Sequence, residues 1–327
     1  MENKLYYLQG LRGIAAFIVM LKHLQLTFAE NLLTELMLFL ETHSNSWLVT
    51  HFVYAGINIF FNGELAVFIF WFLSAYVISI KLYTIDSRPY LTQAFSKRYV
   101  RLAIPVLASI LLAYSLISLG LMFNQEYAQN LPGNDSKWIN QYYTFSPDII
   151  LAIKSGLWDT FFALNEEEYN PVLWTINPEL YGSLLCFLIY GIFGRNKLRF
   201  YFYFIVAIVA LLLLKYWLVT FILGHILCAA QFSAAQSPIY KVFSAIFKNQ
   251  RLNILYFICL LILGGLYNYF SFFYIPISAL IVTVILYSKK IQRLLENNYL
   301  IWLGKISFSL YLIHFPIICS YSCDAYL

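Results

Sequence analysis

The sequence predicts an all-α fold: a polytopic bundle of transmembrane helices with about nine to ten spans and a cytoplasmic N-terminus. Composition is the first reason for this prediction. Of the 327 residues, 61% are hydrophobic and only 11% are charged, and the mean hydropathy is +0.71. Soluble domains carry about 25% charged residues. The composition therefore indicates a chain that lies in the lipid bilayer and has no length left for a sizeable soluble domain.

A succession of apolar segments is the second reason. Several of them are shorter than the ~20 residues that cross ~30 Å of hydrocarbon, so tilted or broken helices are expected among them. We expect all of them to belong to one integral membrane domain over residues 1–327. The segments cover approximately residues 10–29, 60–80, 102–123, 172–193, 200–214, 216–232, 252–267, 272–288 and 299–319.

The distribution of basic residues is the third reason and predicts the orientation. With the N-terminus inside, fifteen Lys and Arg residues fall in cytoplasmic segments and three fall in outer segments. Short cytoplasmic loops of membrane proteins are enriched in Lys and Arg. This bias predicts a cytoplasmic N-terminus. Because topology accounts for the basic residues, the net charge of +5 does not indicate a nucleic-acid partner.

Two segments on the predicted outer side are too long to be simple loops. Residues 30–59 contain no Lys or Arg but several aromatic and aliphatic residues, which indicates a segment that dips toward the membrane interface. Residues 124–171 form the longest polar stretch. It contains a turn sequence at 131–135, a formal glycosylation sequon at 134–136 and an acidic run at 166–168. We expect this second segment to cover the outer mouth of a cavity.

The first apolar segment carries ionisable side chains that a simple membrane anchor does not need. Arg12 and His23 are eleven residues apart. That spacing is only about 20° from three full helical turns, so the two side chains share one helix face, about 16 Å apart along the axis. Ionisable groups inside a span cost ~2.5–3.5 kcal/mol each and mark functional sites by default. The pair predicts a slot for an anionic, elongated ligand. Alternatively, Arg12 reaches the lipid headgroups and His23 bonds a neighbouring helix.

A second basic motif lies at the predicted cytoplasmic start of the third span. Arg98 and Arg101 are three residues apart and therefore neighbours on one helix face. Two adjacent guanidinium groups suit phosphate, because each can bind two oxygens at once. Cytoplasmic flanks are basic in many membrane proteins, so contact with lipid headgroups is the alternative. Together with Arg12 on the same side, the pair favours a phosphate-rich ligand that enters from the cytosol.

Residues 170–183 combine signals for a helix start with functional side chains. Asn177, Pro178 and Glu179 are typical of an N-cap, a first helical turn and an acid favoured by the helix dipole. Capping explains much of this sequence. It does not explain why Trp174 and the Glu179 carboxylate stand next to the bilayer. We therefore expect both to contribute to the site.

The last apolar segment carries Tyr311 and His314, three residues apart on one face, with Ser307 four residues before the tyrosine. Small and polar residues also hold transmembrane helices together, which is the alternative interpretation. His225 has no partner nearby in sequence, and we interpret it as structural. The sequence contains no zinc-ligand spacing and no recognisable hydrolase or nucleotide-binding motif. It predicts no metal site.

Taken together, these motifs resemble the membrane-bound acyltransferase-3 family. Each motif is weak alone, but five of them occur in the family's order and on matching spans. The resemblance covers roughly residues 5–318, nearly the whole chain. Its motifs are residues 11–16 with His23, 70–74, the Arg98-x-x-Arg101 pair, 173–179, and 306–316.

The resemblance implies an enzyme of the bacterial inner membrane that moves an acetyl or other short acyl group. The donor would be cytosolic acyl-CoA, used as a co-substrate, with no tightly bound cofactor. The acceptor would be a carbohydrate or glycolipid hydroxyl on surface polysaccharide or lipopolysaccharide. His23 would be the catalytic residue, assisted by Glu179. The residues expected to bind substrates are Arg12, Arg98, Arg101, Trp174, Tyr311 and His314.

The sequence also departs from the family pattern. Many members have Asp where this chain has Gln9, and Gly where it has Ala75. Relatives usually continue through a further span, whereas only 13 residues follow His314, so we expect the chain to lack a final span. Two alternatives to the enzyme follow. The chain could be a transporter or flippase of lipid-linked sugars, or an inactive, truncated relative.

Overall fold

The computed structural model describes residues 5–44, 46–130, 137–163, 169–232, 242, 245–266 and 271–327, and every regular element in these ranges is a helix. The predicted all-α bundle is confirmed. The predicted turn at 131–135, the sequon at 134–136 and the acidic run at 166–168 lie outside the described residues.

The described helices are numbered here in chain order. A 3₁₀ turn (Pro171–Thr175) leads directly into α10, and π-helical turns join α8 to α9 (Ser155–Asp159) and extend α16 (Ile318–Ser322). The α-helices are α1 (Tyr6–Phe28), α2 (Leu32–His43), α3 (Trp47–Asn58), α4 (Gly63–Ile85), α5 (Arg88–Ser118), α6 (Asn124–Asn130), α7 (Lys137–Asn140), α8 (Ile149–Lys154), α9 (Thr160–Phe162), α10 (Ile176–Phe193), α11 (Arg199–Leu212), α12 (Tyr216–Phe232), α13 (Gln250–Leu266), α14 (Tyr274–Tyr287), α15 (Lys289–Leu295) and α16 (Asn298–Ile317).

All nine predicted spans lie on helices, but the helices differ in length. Five of them are long and apolar enough to cross a bilayer: α1, α4, α5, α10 with its leading turn, and α16 with its extension. The pair α14 and α15 passes the same test together, although it is bent by 98°. The helices α11, α12 and α13 have 14 to 17 residues. At 1.5 Å per residue these cover only about 21–26 Å. Length and composition therefore support five or six spans among the described residues, fewer than the nine to ten predicted.

Helices α1 and α16 pack side by side in the same direction. A Cβ on Gly13 would lie 2.7 Å from the Gly304 nitrogen, and a Cβ on Gly304 would lie 2.0 Å from the Gln9 carbonyl oxygen. Ten residues further along both chains, His23 meets His314. Lipid gives no hydrophobic drive for two spans to associate, so small residues that let backbones approach are a common solution. The glycines hold the first and last described spans in one register.

Helix α4 occupies the centre of the bundle and is the most buried of the candidate spans. Its first residue, Gly63, lies against the Lys22 side chain near the end of α1, so α4 runs antiparallel to α1. On another side, Gly224 of α12 lies so close that an added Cβ would be 2.7 Å from the Phe72 carbonyl oxygen. Helix α4 can therefore present one face to α1 and another to α12.

Residues 30–59, predicted to dip toward the outer interface, form the hairpin α2–α3. Each helix has 12 residues, about 18 Å, which is too short to cross the hydrocarbon. The hairpin attaches to α13 where Asn58 Nδ2 donates a hydrogen bond to the Gly265 carbonyl at 2.6 Å. Its outer surface is apolar, with the Trp47 side chain 69% exposed.

The close packing of α1 on α16 predicts that Gly304→Ala destabilises the protein. The new methyl group would overlap the Gln9 carbonyl, and overpacking of this kind costs about 1–3 kcal/mol. Gly56→Ala, at an exposed position of α3 with no atom within 4 Å of the new Cβ, is the matched control. We expect the thermal unfolding midpoint of the purified protein to fall for Gly304→Ala only. Equal midpoints for the two variants would contradict the packing described here.

Candidate functional site

A cavity of ≈ 360 Å³ lies between α1, α4, α5, α10 and α16. Its wall carries four cationic side chains and a single carboxylate, so the cavity is electropositive. Within the described residues, Arg12, Lys81 and Arg101 have no carboxylate partner, whereas Arg98 has one. The charged residues that line the cavity are Arg12, Lys81, Arg98, Arg101 and Glu179.

Arg98 and Glu179 form an ion pair in the wall of this cavity. Both side chains are largely withdrawn from solvent, being 15% and 18% exposed. Arg98 Nε also donates to Ser183 Oγ at 2.8 Å, and Ser74 Oγ donates to the same Glu179 carboxylate oxygen that accepts from Arg98. Withdrawn charges are stable only when paired and hydrogen-bonded. The pair therefore fixes the packing of α4, α5 and α10 around the cavity.

The two arginines predicted to act as one phosphate clamp differ in their surroundings. The Arg98 guanidinium is held by Glu179 and the two serines, whereas the Arg101 side chain is exposed. Arg12 approaches from α1 and lies close enough to Arg98 and Glu179 to interact with their charges. Arg12, Arg98 and Arg101 all line this one cavity, and their binding of phosphate stays a prediction.

Trp174 does not lie where the sequence analysis expected a substrate-binding residue. Its side chain is 46% exposed and is absent from the cavity wall, whereas the next residue, Thr175, lines the cavity. The reason is the 3₁₀ turn before α10, which rotates successive side chains by about 120°. Trp174 packs edge-to-face on Trp71, whose ring does line the cavity, with 5.8 Å between ring centroids.

The predicted N-cap at Asn177 is two residues too late, because Thr175 occupies the N-cap position of α10. Helix α10 begins at Ile176, and the preceding 3₁₀ turn extends the helical path back to Pro171. The Asn177 side chain therefore does not cap the helix, and its Nδ2 donates to the Phe161 carbonyl at 2.8 Å. Glu179 does lie in the first turn of α10, as predicted, but its carboxylate is engaged by Arg98 and Ser74.

Tyr311 forms the wall of the cavity on the side of the two histidines. Its hydroxyl hydrogen-bonds Thr175 Oγ1 at 2.7 Å and the Val172 carbonyl at 2.8 Å. The Tyr311 ring centroid lies 5.9 Å from that of His314, which in turn lies 4.9 Å from that of His23. His23 itself is not among the residues that line the cavity. Tyr311 and His314 therefore stand between the cationic cavity and His23.

His23 and His314 form a hydrogen-bonded pair across α1 and α16. The distance from His23 Nδ1 to His314 Nε2 is 3.0 Å, and His23 Nδ1 also lies 2.9 Å from the Val19 carbonyl oxygen. His314 Nδ1 lies 2.8 Å from the Tyr311 carbonyl oxygen. The structure thus joins two histidines that the sequence analysis had assigned separately. It does not bring Glu179 to either imidazole.

Three histidines lie inside the bundle, and their ring nitrogens differ. Both nitrogens of His314 are hydrogen-bonded. His225 is fully buried, with Nδ1 bonded to Ser79 Oγ at 2.8 Å and Nε2 enclosed. The half-buried His23 is different, because no group in the described part of the chain hydrogen-bonds its Nε2 and that atom is not enclosed. His23 is therefore the histidine that can offer a ring nitrogen to a substrate.

The predicted outer segment 124–171 also contacts His23. Trp138 of α7 packs on His23 with 5.7 Å between ring centroids, and its backbone N–H donates to the Glu30 carboxylate at 3.4 Å. Phe315 and Tyr142 complete this aromatic cluster. Part of the segment thus packs directly on the His23 ring.

Sequence reasoning missed several members of the site. Lys81 lies four residues before the end of α4 and lines the cavity. Its predicted position on the cytoplasmic side, the side of Arg12, could have suggested this role. Ser183 stands four residues after Glu179, hence on the same helix face, which could have suggested their shared partner Arg98. Trp138 lies in a short helix with no local pattern to mark it.

The bundle and its site define a multi-pass membrane protein with an electropositive cavity and one accessible imidazole nearby. The chain belongs to the acyltransferase-3 family, whose model, described as an acyltransferase domain, matches residues 5–319. No curated protein and no solved structure matches the chain significantly. The resemblance seen in the motifs is confirmed by the family match. The protein is an integral membrane protein of an acyltransferase family.

The ion pair in the cavity wall predicts that Glu179→Gln destabilises the protein. The substitution leaves the Arg98 guanidinium without a negative partner, and loss of a hydrogen bond to a charged group costs about 1.5–3 kcal/mol. Glu35→Gln, on the exposed surface of α2, is the matched control. We expect a lower thermal unfolding midpoint for Glu179→Gln alone. A normal midpoint with lost activity would instead indicate that Glu179 acts mainly on substrate.

Proposed function

We propose that the protein is an acyl-CoA-dependent O-acyltransferase of the bacterial inner membrane. It would move an acetyl or other short acyl group from cytosolic acyl-CoA to a hydroxyl of surface polysaccharide or lipopolysaccharide. One observation carries the proposal: Tyr311 in the wall of the electropositive cavity contacts the ring of His314, which hydrogen-bonds His23, and no group in the described residues hydrogen-bonds His23 Nε2. The family match supports acyl transfer as the reaction.

Binding of the donor follows from the charges of the cavity. The phosphate groups of CoA suit Arg12 and Arg101, whose guanidinium groups have no carboxylate partner in the described residues. Lys81 adds a positive charge, whereas Arg98 is already paired and serves mainly to shape the wall. The cavity is at the lower end of the roughly 300–1,000 Å³ range of small-molecule sites. It would therefore enclose part of CoA and leave the rest in the cytosol.

The predicted orientation places this charge where the donor would enter. Arg12 and Lys81 lie toward ends of α1 and α4 that the positive-inside bias assigns to the cytoplasm, and Arg101 lines the same cavity from the middle of α5. Helices α1 and α16 are parallel, as that orientation requires for spans that both begin inside. The acceptor would come from the opposite face, near Trp138.

The chemistry assigned to His23 is general base catalysis followed by general acid catalysis. Nε2 takes the proton of the acceptor hydroxyl while its oxygen attacks the thioester carbonyl carbon. The bond between that carbon and sulfur then breaks, and the proton on Nε2 passes to the departing CoA thiolate. The products are the acyl ester and free CoA. Because Tyr311 stands before the histidines, this reaction requires Tyr311 to move aside for the thioester.

The first test is His23→Ala in bacterial membranes supplied with radiolabelled acetyl-CoA. Positioned acid–base groups typically contribute 10²–10⁴-fold, so incorporation of label into extracted surface glycan should fall at least about 100-fold. His43→Ala, at an exposed position of α2, is the control and should retain incorporation. Undiminished incorporation by a normally inserted His23→Ala protein would refute the assignment.

The second test concerns the donor phosphates. Arg101→Ala should raise the KM for acetyl-CoA about 10-fold, the lower end expected for losing a charge-assisted hydrogen bond, because Arg101 is exposed. The kcat should change little, since Arg101 lies away from the reacting atoms. Arg251→Ala, at an exposed position of α13, is the matched control. Equal KM values for both variants would contradict phosphate binding by Arg101.

A further inference from the structure

We infer that His314 is a positioning residue, which holds the proton of His23 on Nδ1 and so leaves His23 Nε2 as the base. This inference rests on the proposed function, in which His23 Nε2 accepts the proton of the acceptor. It gives His314 a role different from the substrate contact expected from the sequence. The argument depends on which of the facing groups can donate a hydrogen bond.

The proton on His314 is located by its own helix. His314 Nδ1 faces the backbone carbonyl oxygens of Tyr311 at 2.8 Å and Leu310 at 3.2 Å. A carbonyl oxygen can only accept, so this nitrogen carries the hydrogen. In a neutral imidazole the other nitrogen then carries a lone pair. His314 Nε2 is therefore an acceptor, directed at α1.

The proton on His23 follows from the same reasoning. His23 Nδ1 faces two acceptors, the Val19 carbonyl oxygen at 2.9 Å and His314 Nε2 at 3.0 Å. Only an Nδ1–H group satisfies both. The Nε2 of a neutral His23 is then unprotonated, and it is the nitrogen that has no partner in the described residues.

The opposite arrangement is unfavourable. In the opposite arrangement, His314 Nε2 carries the proton and donates to His23 Nδ1. The Nδ1 atom of each ring would then be unprotonated and would face a carbonyl oxygen with its lone pair. Those oxygens belong to Val19, Leu310 and Tyr311, at 2.9, 3.2 and 2.8 Å. Leaving a buried polar group without its partner costs about 1–3 kcal/mol. The hydrogen bond between the two rings forms in either arrangement, so it does not offset the loss of the Nδ1–H bonds to these carbonyls.

The Val19 carbonyl oxygen, 2.9 Å from His23 Nδ1, favours the same tautomer, and His314 adds a second acceptor at 3.0 Å. The Val19 carbonyl lies one turn before His23 in α1, where it also accepts the helical hydrogen bond from the His23 backbone N–H. His314 comes from a different helix and offers a lone pair whose described partner is His23. It therefore fixes the ring plane of His23 relative to α16. When His23 becomes protonated during the reaction, His314 remains a neutral acceptor for the Nδ1–H group.

The test compares His314→Leu with His314→Gln in the full chain, reconstituted in liposomes and supplied with radiolabelled acetyl-CoA. Leucine removes the acceptor, and glutamine keeps one. Residues that hydrogen-bond the histidine ligands of metal sites typically contribute 10–100-fold to affinity or activity. By analogy, kcat should fall roughly 10–100-fold for His314→Leu and less for His314→Gln. The KM for acetyl-CoA should stay within about 2-fold of wild type. His43→Leu is the control and should match wild type.

A second readout does not depend on turnover. Nitrogen-15 NMR of histidine-labelled protein in liposomes distinguishes the two tautomers, and His23→Ala identifies the His23 signal by its loss. We expect the wild-type His23 signal to be that of an Nδ1-protonated ring. In His314→Leu the share of this tautomer should fall, because the Val19 carbonyl is then the one described acceptor left at Nδ1. A wild-type His23 protonated at Nε2 would overturn the inference. So would a folded His314→Leu protein with unchanged kcat.

The two readouts separate this inference from the proposed function. A wild-type protein that transfers no acyl group would contradict the proposed function, while its NMR spectrum would still decide the tautomer. If His314→Leu fails to fold, judged by its thermal unfolding midpoint, the wild-type spectrum and the His314→Gln kinetics decide. Equal loss of kcat in the Leu and Gln variants would also count against the acceptor role.

Discussion

The contact between α1 and α16 is the interaction on which the rest of the site depends. Gly13 and Gly304 let the two backbones approach to distances at which no side chain fits, and Gly10 allows the same close approach to Leu295 at the end of α15. Because the helices are parallel, this register is carried about 15 Å along both axes. There it brings His23 within hydrogen-bonding distance of His314. A shift of one helix by a single residue would turn these side chains apart by about 100°.

The second constraint is the placement of charge in a mostly apolar bundle. Arg98 and Glu179 are tolerated in the cavity wall because each satisfies the other, with Ser74 and Ser183 completing their hydrogen bonds. The remaining cations have no such carboxylate in the described residues, which makes the cavity attractive to anions. Arg98 is thus engaged in structural pairing, whereas Arg101, which looks equivalent in sequence, has no carboxylate partner in the described residues.

Much of the fold and part of the site followed from the sequence, because periodicity and composition act within one helix. They located the nine helical segments and predicted one face for Arg12 and His23, although of these two residues Arg12 lines the cavity and His23 does not. They could not locate contacts between helices, so the His23–His314 pair and the partner of Glu179 were missed. The exposed position of Trp174 was missed because a 3₁₀ turn replaces the expected helix start there. Helix length could not be read from apolar composition, so the sequence counted α11, α12 and α13 as spans, although they are shorter than the five or six helices that length and composition support in the described residues.

The proposed acyl transfer requires the cavity lined by the arginines to open toward His23. The described cavity is bounded by Tyr311, whose hydroxyl is bonded to Thr175 and to the Val172 carbonyl. Both partners lie in the 3₁₀ turn before α10, next to the helix start that carries Glu179. The 3₁₀ turn Pro171–Thr175 thus connects Tyr311 to the helix start in the cavity wall, and an anionic ligand that displaces this turn would also displace Tyr311.

The most direct measurement is an experimental structure of the protein in a lipid nanodisc with bound CoA. The account predicts CoA phosphates at Arg12 and Arg101, a displaced Tyr311 ring, and the CoA sulfur about 3–4 Å from the position a hydroxyl would take beside His23 Nε2. CoA bound outside this cavity, or a thiol held on the arginine side of an unmoved Tyr311, would contradict it.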